Sequence, residues 1–398
     1  MNGRIIKTEL YKICSKRVVW VSMGLFLTLF LALHLQFLGK PGIQYTLQPV
    51  KSELTAALKD EALCGFIRES GYARTAAELL PRLPQSVQGY IAQYQGSERI
   101  FRSLNASLAS SLNSYVERAD RRAAWLAQLA EEAAADDGTL LTAAKQRMLR
   151  QYRAAPARLE LNLEPGANAL IDVNHAAVFP GLVMLVILVG LAGVYADETA
   201  SGVQPALLTS RRGRGCVFWC KACAAALFVA GVVVCMEGFA LITAAFCYHW
   251  PDTSVTAAST YGLSLAACPA TVLGFCLRQA AGTLAAGLAL GNLVLCLSAH
   301  SKNALAPFFA AGLYYGGTAL YANQAAFPPY LSTLLSLPGE WSLFMLQTQV
   351  ELISPPRSTS LFGLVLPALT ANLLFQLVFM AVCLALCYRG YTQKQVMA

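Results

Sequence analysis

The residues whose types and spacing could carry a function are concentrated in a short polar segment, 197–214, which joins two apolar stretches. The segment begins with an acidic pair, Asp197 and Glu198, and ends in a basic cluster at 211–214. Carboxylates suit the N-terminus of a helix, because the helix dipole places partial positive charge there. Arginines beside a membrane span suit anionic lipid headgroups. The pattern favours a structured loop at a membrane surface, although charges that only set topology would show the same signs.

The sequence contains no motif for catalysis or nucleotide binding. The patterns GxxxxGK[ST], GxSxG, HExxH and GxGxxG are all absent, so the chain cannot bind ATP through a P-loop. The four histidines stand singly near the ends of apolar stretches. Cys220 and Cys223 lack a second ligand pair at the spacing that zinc requires. We therefore predict that the chain is not an enzyme and that it has no cofactor or metal site.

Two charged residues, Glu237 and Arg278, lie within or beside apolar stretches. A charge in hydrocarbon is costly, so such residues face a partner or a watery cavity. The two could pair with each other, which would be a structural role, or they could line a pathway. The sequence favours the pair, because no other polar residues cluster with them.

The composition is that of a membrane protein. Only 13% of the residues are charged and 56% are hydrophobic, whereas about a quarter of the residues of a soluble domain are charged. Each transmembrane helix needs about 20 apolar residues, and we predict an all-α integral membrane protein with six of them. The predicted spans are residues 18–38, 178–196, 217–248, 280–299, 304–321 and 361–388.

Three segments need separate interpretation. The first span is too long for a signal peptide, and no small-x-small cleavage site follows it. Residues 261–277 are predicted to be an interfacial or re-entrant lead-in to the fourth span. Residues 343–352 are predicted to lie on the membrane surface.

Residues 39–177 form a hydrophilic insert after the first span. An apolar stripe with helical spacing includes Leu104, Leu108 and Leu112, and residues 140–152 have the pattern of a second helix. The single cysteine, Cys64, excludes an internal disulfide. We predict a mainly helical domain. The basic residues of its long helix are predicted to lie on a solvated face: Arg118, Arg121 and Arg122.

The charges of the short loops predict the orientation. Twelve lysines and arginines fall in the segments predicted to be cytoplasmic, whereas one, Arg357, falls in a short segment on the other side. The net charge of +8 is therefore explained by orientation rather than by nucleic-acid binding. We predict a multi-pass protein of the cell membrane with both termini in the cytoplasm. Residues 1–17 form a cytoplasmic amphipathic helix, residues 389–398 form a cytoplasmic tail, and the insert is extracytoplasmic.

The polar segment resembles the same region of the membrane subunits of ABC-2-type transporters. Those permeases often have E-x-x-S-G, then L-L-x-S, then a Gly-Arg pair, then a lysine that opens the next span. The matching residues here are Glu198, Ser201, Gly202, Leu207, Leu208, Ser210, Gly213, Arg214 and Lys221. The N-terminal residues Lys7-Thr8-Glu9-Leu10 and Lys12 are similar to the entry helix of that family. The insert is much larger than in minimal members.

The resemblance implies the permease subunit of an ABC transporter, with segment 197–214 as the coupling loop to a separate cytoplasmic ATPase. It also implies a second permease subunit, identical or similar, and contact with membrane lipids. Export is the usual direction in the family, and the substrate is not implied. Two other classes stay open. One is a membrane-anchored structural or sensing protein that acts through its insert. The other is an ion-coupled carrier, which the scarcity of polar residues in the spans disfavours.

Overall fold

The structure is a computed structural model of the 398-residue chain. It describes residues 3–35, 47–134, 140–154, 159–163, 170–171, 178–203, 215–247, 255–260, 263–266, 270–322, 342–349, 358–361 and 364–393. Within these ranges the chain is mainly helical, and its buried apolar residues form two separate cores. One core belongs to the long apolar helices and the other belongs to the insert.

The chain begins with two helices that meet at a sharp bend. Helix α1 comprises Gly3–Cys14 and α2 comprises Arg17–Leu35. The axes of Gly3–Cys14 and Arg17–Ala32 differ by 60°. Helix α1 is amphipathic, as predicted: Ile13 is buried in the core of the apolar helices, whereas Lys7 and Tyr11 are exposed on its other side.

The insert is a helical unit. Its helices α3 to α8 are Lys51–Ala57, Glu61–Glu69, Ala76–Leu79, Gln85–Ala92, Glu98–Ala134 and Leu140–Ala154. The predicted apolar stripe lies on the long helix α7, where Leu104, Leu108 and Leu112 are fully buried against the shorter helices. The helical prediction for the insert is therefore confirmed over its described residues.

The prediction of a solvated arginine face on α7 is wrong for two of its three residues. Arg118 and Arg122 are 5% and 7% exposed, whereas Arg121 forms an ion pair with Glu117 nearer the surface. For Arg122 the reason lies in α8, which packs against α7. The guanidinium carbon of Arg122 lies 5.4 Å from the centre of the Tyr152 ring on α8, a cation–π arrangement that sequence spacing does not reveal.

The apolar part begins with α9, Val178–Leu191, and a short continuation α10, Ala196–Ala200. It continues with α11, Gly215–Cys247, α12, Val272–His300, and α13, Leu305–Ala322. After the buried short helix α14, Leu343–Thr348, a two-stranded antiparallel hairpin pairs β1, Ser358–Leu361, with β2, Leu364–Pro367. Helix α15, Ala368–Gln393, follows directly.

Four helical segments are long and apolar enough to cross a membrane among the described residues. They are Phe179–Ala200, Gly215–Cys247, Val272–His300 and Ala368–Thr392, and the bent pair α1–α2 would bring the number to five. The structure therefore supports a helical membrane-embedded protein. The prediction of six spans is not confirmed, because the described residues contain four or five candidate spans.

Asp197 and Glu198 lie in the first turn of the short helix α10, where the helix dipole favours carboxylates. Two boundaries differ from the predictions. Helix α12 begins at Val272, not at residue 280, because Thr271 caps it by accepting a hydrogen bond from the Gly274 amide at 3.1 Å. The last long helix begins at Ala368 rather than at residue 361, because the short strands β1 and β2 precede it. The described chain is otherwise helical, which supports the all-α prediction.

Helix α14 is buried throughout, which corrects the prediction that it lies on the membrane surface. It packs between α12 and α13. The amide group of Gln347 accepts a hydrogen bond from the Tyr315 hydroxyl at 2.7 Å and donates one to the Pro180 carbonyl at 3.1 Å. Gln349 follows with φ +57°, and its amide donates to the Arg278 carbonyl at 3.2 Å. These bonds satisfy polar groups that would be costly to bury alone.

The insert contacts the bundle at one end. Helix α8 packs on both strands of the hairpin, and the Glu160 amide donates to the Ser259 hydroxyl at 2.8 Å. We call this end of the bundle the insert end, and we call the opposite end, where α1 lies, the charged end.

Candidate functional site: a charged cluster at one end of the bundle

The charged end contains a buried lysine that joins three segments of the chain. Lys221 lies in the second turn of α11, and its side chain is 1% exposed. Its ammonium group donates to Glu9 Oε2 on α1 at 2.9 Å and to Glu198 Oε1 on α10 at 2.6 Å. It also lies 3.3 Å from the Val194 carbonyl. An ammonium group has three donors, and all three have acceptors here.

A second layer of lysines closes the cluster from the solvent side. Lys12 donates to Glu9 Oε1 at 2.7 Å and to Glu198 Oε1 at 3.3 Å. Lys16 donates to Asp197 Oδ2 at 2.9 Å. Three lysines therefore face three carboxylates. This balance matters because an unpaired charge would be expensive at such a depth.

Aromatic rings cover the buried side of the cluster. The ammonium group of Lys221 lies 5.3 Å from the centre of the Tyr195 ring. The Tyr195 ring packs against Tyr391 near the end of α15, with 5.2 Å between centroids, and Phe218 lies 6.3 Å from Tyr391. The last turns of α15 therefore join the same cluster, so that it connects segments from both ends of the sequence.

A hydroxyl group on α12 fixes the break between α9 and α10. The backbone amides of Tyr195 and Ala196 both donate to Ser298 Oγ, at 3.1 and 3.0 Å. Because a helix leaves its first amides without internal acceptors, Ser298 acts as a cap supplied by another helix. Gly193 completes the turn, since a Cβ there would lie 2.2 Å from the Asp197 carboxylate.

The charges of the cluster stabilise one another. Burial raises the pKa of Glu9, but the positive charges of Lys221 and Lys12 lower it by more, and its pKa lies below the usual value. Glu9 is therefore a carboxylate at neutral pH. The arrangement contains no nucleophile beside a base and, among the residues described, no group of three metal ligands. Its chemistry is that of a rigid ionic joint between α1, α10 and α11.

The predicted loop residues are only partly described. Glu198 is at the centre of the cluster, and the Ser201 hydroxyl donates to the Glu198 carbonyl at 3.3 Å. Gly202 has φ +71°, a left-handed conformation that ends the helix and favours glycine. The other predicted loop residues lie outside the described ranges: Leu207, Leu208, Ser210 and Arg214.

The structure does not bring the two predicted intramembrane charges together. Glu237 on α11 accepts a hydrogen bond from the Thr283 hydroxyl on α12 at 3.1 Å, and among the described residues it forms no ion pair with Arg278. Arg278 lies five residues before Thr283, which is about 140° around the helix. Its carbonyl bonds to Gln349. The predicted pair of Glu237 and Arg278 is therefore not observed.

Sequence reasoning missed two of the three central residues. Glu9 and Lys221 were noted only as part of a resemblance, yet they meet across 212 positions of sequence. Both Glu9 and Lys221 are charged residues on helix faces that are otherwise apolar and buried, which is a weak indication that they are paired. No periodicity or spacing rule could have paired them.

Comparison with known proteins gives no match: no family model, no curated protein and no solved structure is significantly similar to this chain. Any function must therefore be argued from the residues and their geometry.

Proposed function

We propose that this chain is the membrane-spanning permease subunit of an ABC transporter. In this proposal it has six transmembrane helices, both termini in the cytoplasm and the insert outside the cell membrane. The loop-charge asymmetry supports the orientation. A separate cytoplasmic ATPase binds segment 197–214, a second permease subunit completes the pore, and transport is outward.

The observation that supports this proposal best is the buried charged cluster. A permease without an ATP site needs a rigid element through which a partner can move its helices. The Lys221 contacts tie Glu198, at the start of the proposed coupling loop, to α1 and α11 at once. A displacement of the loop would therefore move three segments together, because separating them would leave buried charges unpaired.

A test is capture of the ATPase. The full chain, purified in mild detergent from its own cells, is expected to retain an ABC ATPase. Leu207 and Leu208 are apolar residues in a polar loop, and they would enter a groove on that ATPase. Replacing both with Asp should release the ATPase while the purified protein stays monodisperse. The matched control replaces Arg211 and Arg212 with Ala, which should have a smaller effect because these side chains would face lipid headgroups. Equal ATPase retention in both variants and the wild type would refute the proposal.

A second candidate function is a membrane-anchored sensor that acts through the insert. It is favoured by one observation, the contact of α8 with the hairpin that leads into α15. A sensor would retain a partner of the insert rather than an ATPase, so the same purification separates the two functions.

A further inference from the structure

The carboxyl group of Glu237 is buried in the bundle, and no basic side chain among the described residues pairs with it. Glu237 lies ten residues before the end of α11 at Cys247, a distance of about 15 Å along the helix axis. The residue is 9% exposed, and its hydrogen-bond partner in the described chain is the Thr283 hydroxyl.

One hydroxyl donor does not satisfy a carboxylate. A carboxylate has about four acceptor positions on its two oxygens, and the described part of the chain fills one of them. The six charged groups of the cluster at the other end of the bundle are fully paired among themselves. Glu237 therefore differs from every carboxylate of that cluster, and buried charges of this kind mark sites that receive a ligand or ion.

The contact between α11 and α12 is small and polar between Glu237 and the insert end. By helical periodicity, Ala240, Ala244 and Cys247 lie on the same face of α11 as Glu237. Cys276 and Gln279 lie on the same face of α12 as Thr283. All five are buried. Apart from Gln279, the side chains on this side of Glu237 and Thr283 are therefore short.

Between Glu237 and the charged end, helices α9, α11 and α12 pack closely and leave no space for a ligand. A Cβ on Gly287 would lie 3.0 Å from both Val229 and Ile187, and a Cβ on Gly291 would lie 3.1 Å from Leu191. Here α9, α11 and α12 pack with apolar side chains against bare glycine backbone. This packing leaves no passage to Glu237 from the charged end.

We propose that Glu237 and Thr283 form a binding site for a ligand that carries a cationic group, such as an organic ammonium ion, and that opens toward the insert end. The site would give the transporter proposed above its substrate class, and that role rests on the proposed function. A carboxylate with a hydroxyl beside it attracts cations and repels anions. Divalent metals are poor candidates, because Ca²⁺ needs six or more oxygen ligands and no group of three metal ligands occurs among the described residues.

The test measures how Glu237 affects charged reagents at a neighbouring cysteine. The full chain, with its 12 native cysteines replaced, carries Ala240→Cys as a reporter one turn from Glu237. In lipid nanodiscs, where both ends are accessible, its reaction rate is measured with cationic trimethylammonium-ethyl methanethiosulfonate and with anionic sulfonatoethyl methanethiosulfonate. Adding Glu237→Gln should lower the cation-to-anion rate ratio by about tenfold, since a unit charge one turn away acts in a low dielectric.

Two controls make the result decisive. Val233→Cys lies one turn from Glu237 toward the charged end, where packing is closed, and should react with neither reagent. If Ala240→Cys does not yield a monodisperse protein, Ala244→Cys is the second reporter. A rate ratio that does not change with Glu237→Gln overturns the proposal, as does a reporter no more reactive than Val233→Cys. The ATPase plays no part in this measurement, so failure here leaves the proposed transport function standing, and the converse also holds.

Discussion

Replacing Lys221 with Met would test the ionic joint directly. Methionine preserves the length and apolar stem of the side chain but removes the ammonium group. Glu9 and Glu198, whose oxygens lie 2.9 and 2.6 Å from that group, would then face each other in a buried site with only Lys12 between them. The variant therefore leaves negative charge uncompensated, which is a larger perturbation than the loss of hydrogen bonds alone.

The size of the effect follows from burial. Breaking a buried pair by removing one partner costs about 3–5 kcal/mol, and Lys221 is 1% exposed. Lys12 contacts the same two carboxylates but is 50% exposed, so Lys12→Met should cost about 1 kcal/mol or less. For a chain of this size the first loss corresponds to a lowering of the melting midpoint on the order of 4–6 °C, and the second to about 1 °C.

The measurement is the thermal midpoint of the detergent-solubilised protein, followed by size-exclusion chromatography after heating. Adding Glu9→Gln to Lys221→Met should recover part of the loss, because it removes one of the stranded carboxylates. If Lys221→Met lowers the midpoint no more than Lys12→Met does, the ion pairs of Lys221 do not stabilise the bundle. In that case α1, α10 and α11 are not held together as one rigid coupling element.

Three further predictions concern other parts of the chain. Ser298→Ala should cost about 1–3 kcal/mol, read as a lowered thermal midpoint, because two buried amides lose their shared acceptor. Gly282→Ala should lower the midpoint because its Cβ would lie 2.5 Å from a carbonyl of α14, whereas Gly231→Ala, with nothing within 4 Å, should be neutral. In the insert, hydrogen bonds from Arg68 hold the pKa of Asp120 below its usual value. Its stabilisation is present above the usual carboxyl pKa and is lost as pH falls through the lowered value, so proteolysis of the insert should accelerate on acidification less in Asp120→Asn than in the wild type.

The long elements were predictable because their signals are local. The apolar run of α11 and the leucine stripe of α7 each follow from a repeated spacing along one helix. The predicted start of α12 at residue 280 is wrong, because the helix begins after the Thr271 cap. A side chain that accepts hydrogen bonds from the first backbone amides predicts the start of a helix better than a single charged residue does.

The candidate site was less predictable because it depends on contacts between distant segments. Glu198 was identified within its own segment, but its partners Glu9 and Lys221 come from other helices. The supposed Glu237–Arg278 pair failed for the same reason. Two charges can be placed at similar depth from sequence, but the rotation of each helix about its axis decides whether they meet.

The contact between Glu9 and Lys221 also has a consequence for how the chain is made. Glu9 is synthesised 212 residues before the lysine that neutralises it. Until α11 is in place, α1 has its nearby Lys12 but not its buried counter-charge. The buried ion pair that fixes α1 at the charged end therefore cannot form before residue 221 has been synthesised. Helix α1 is synthesised before α11 but reaches its final position only when α11 is in place.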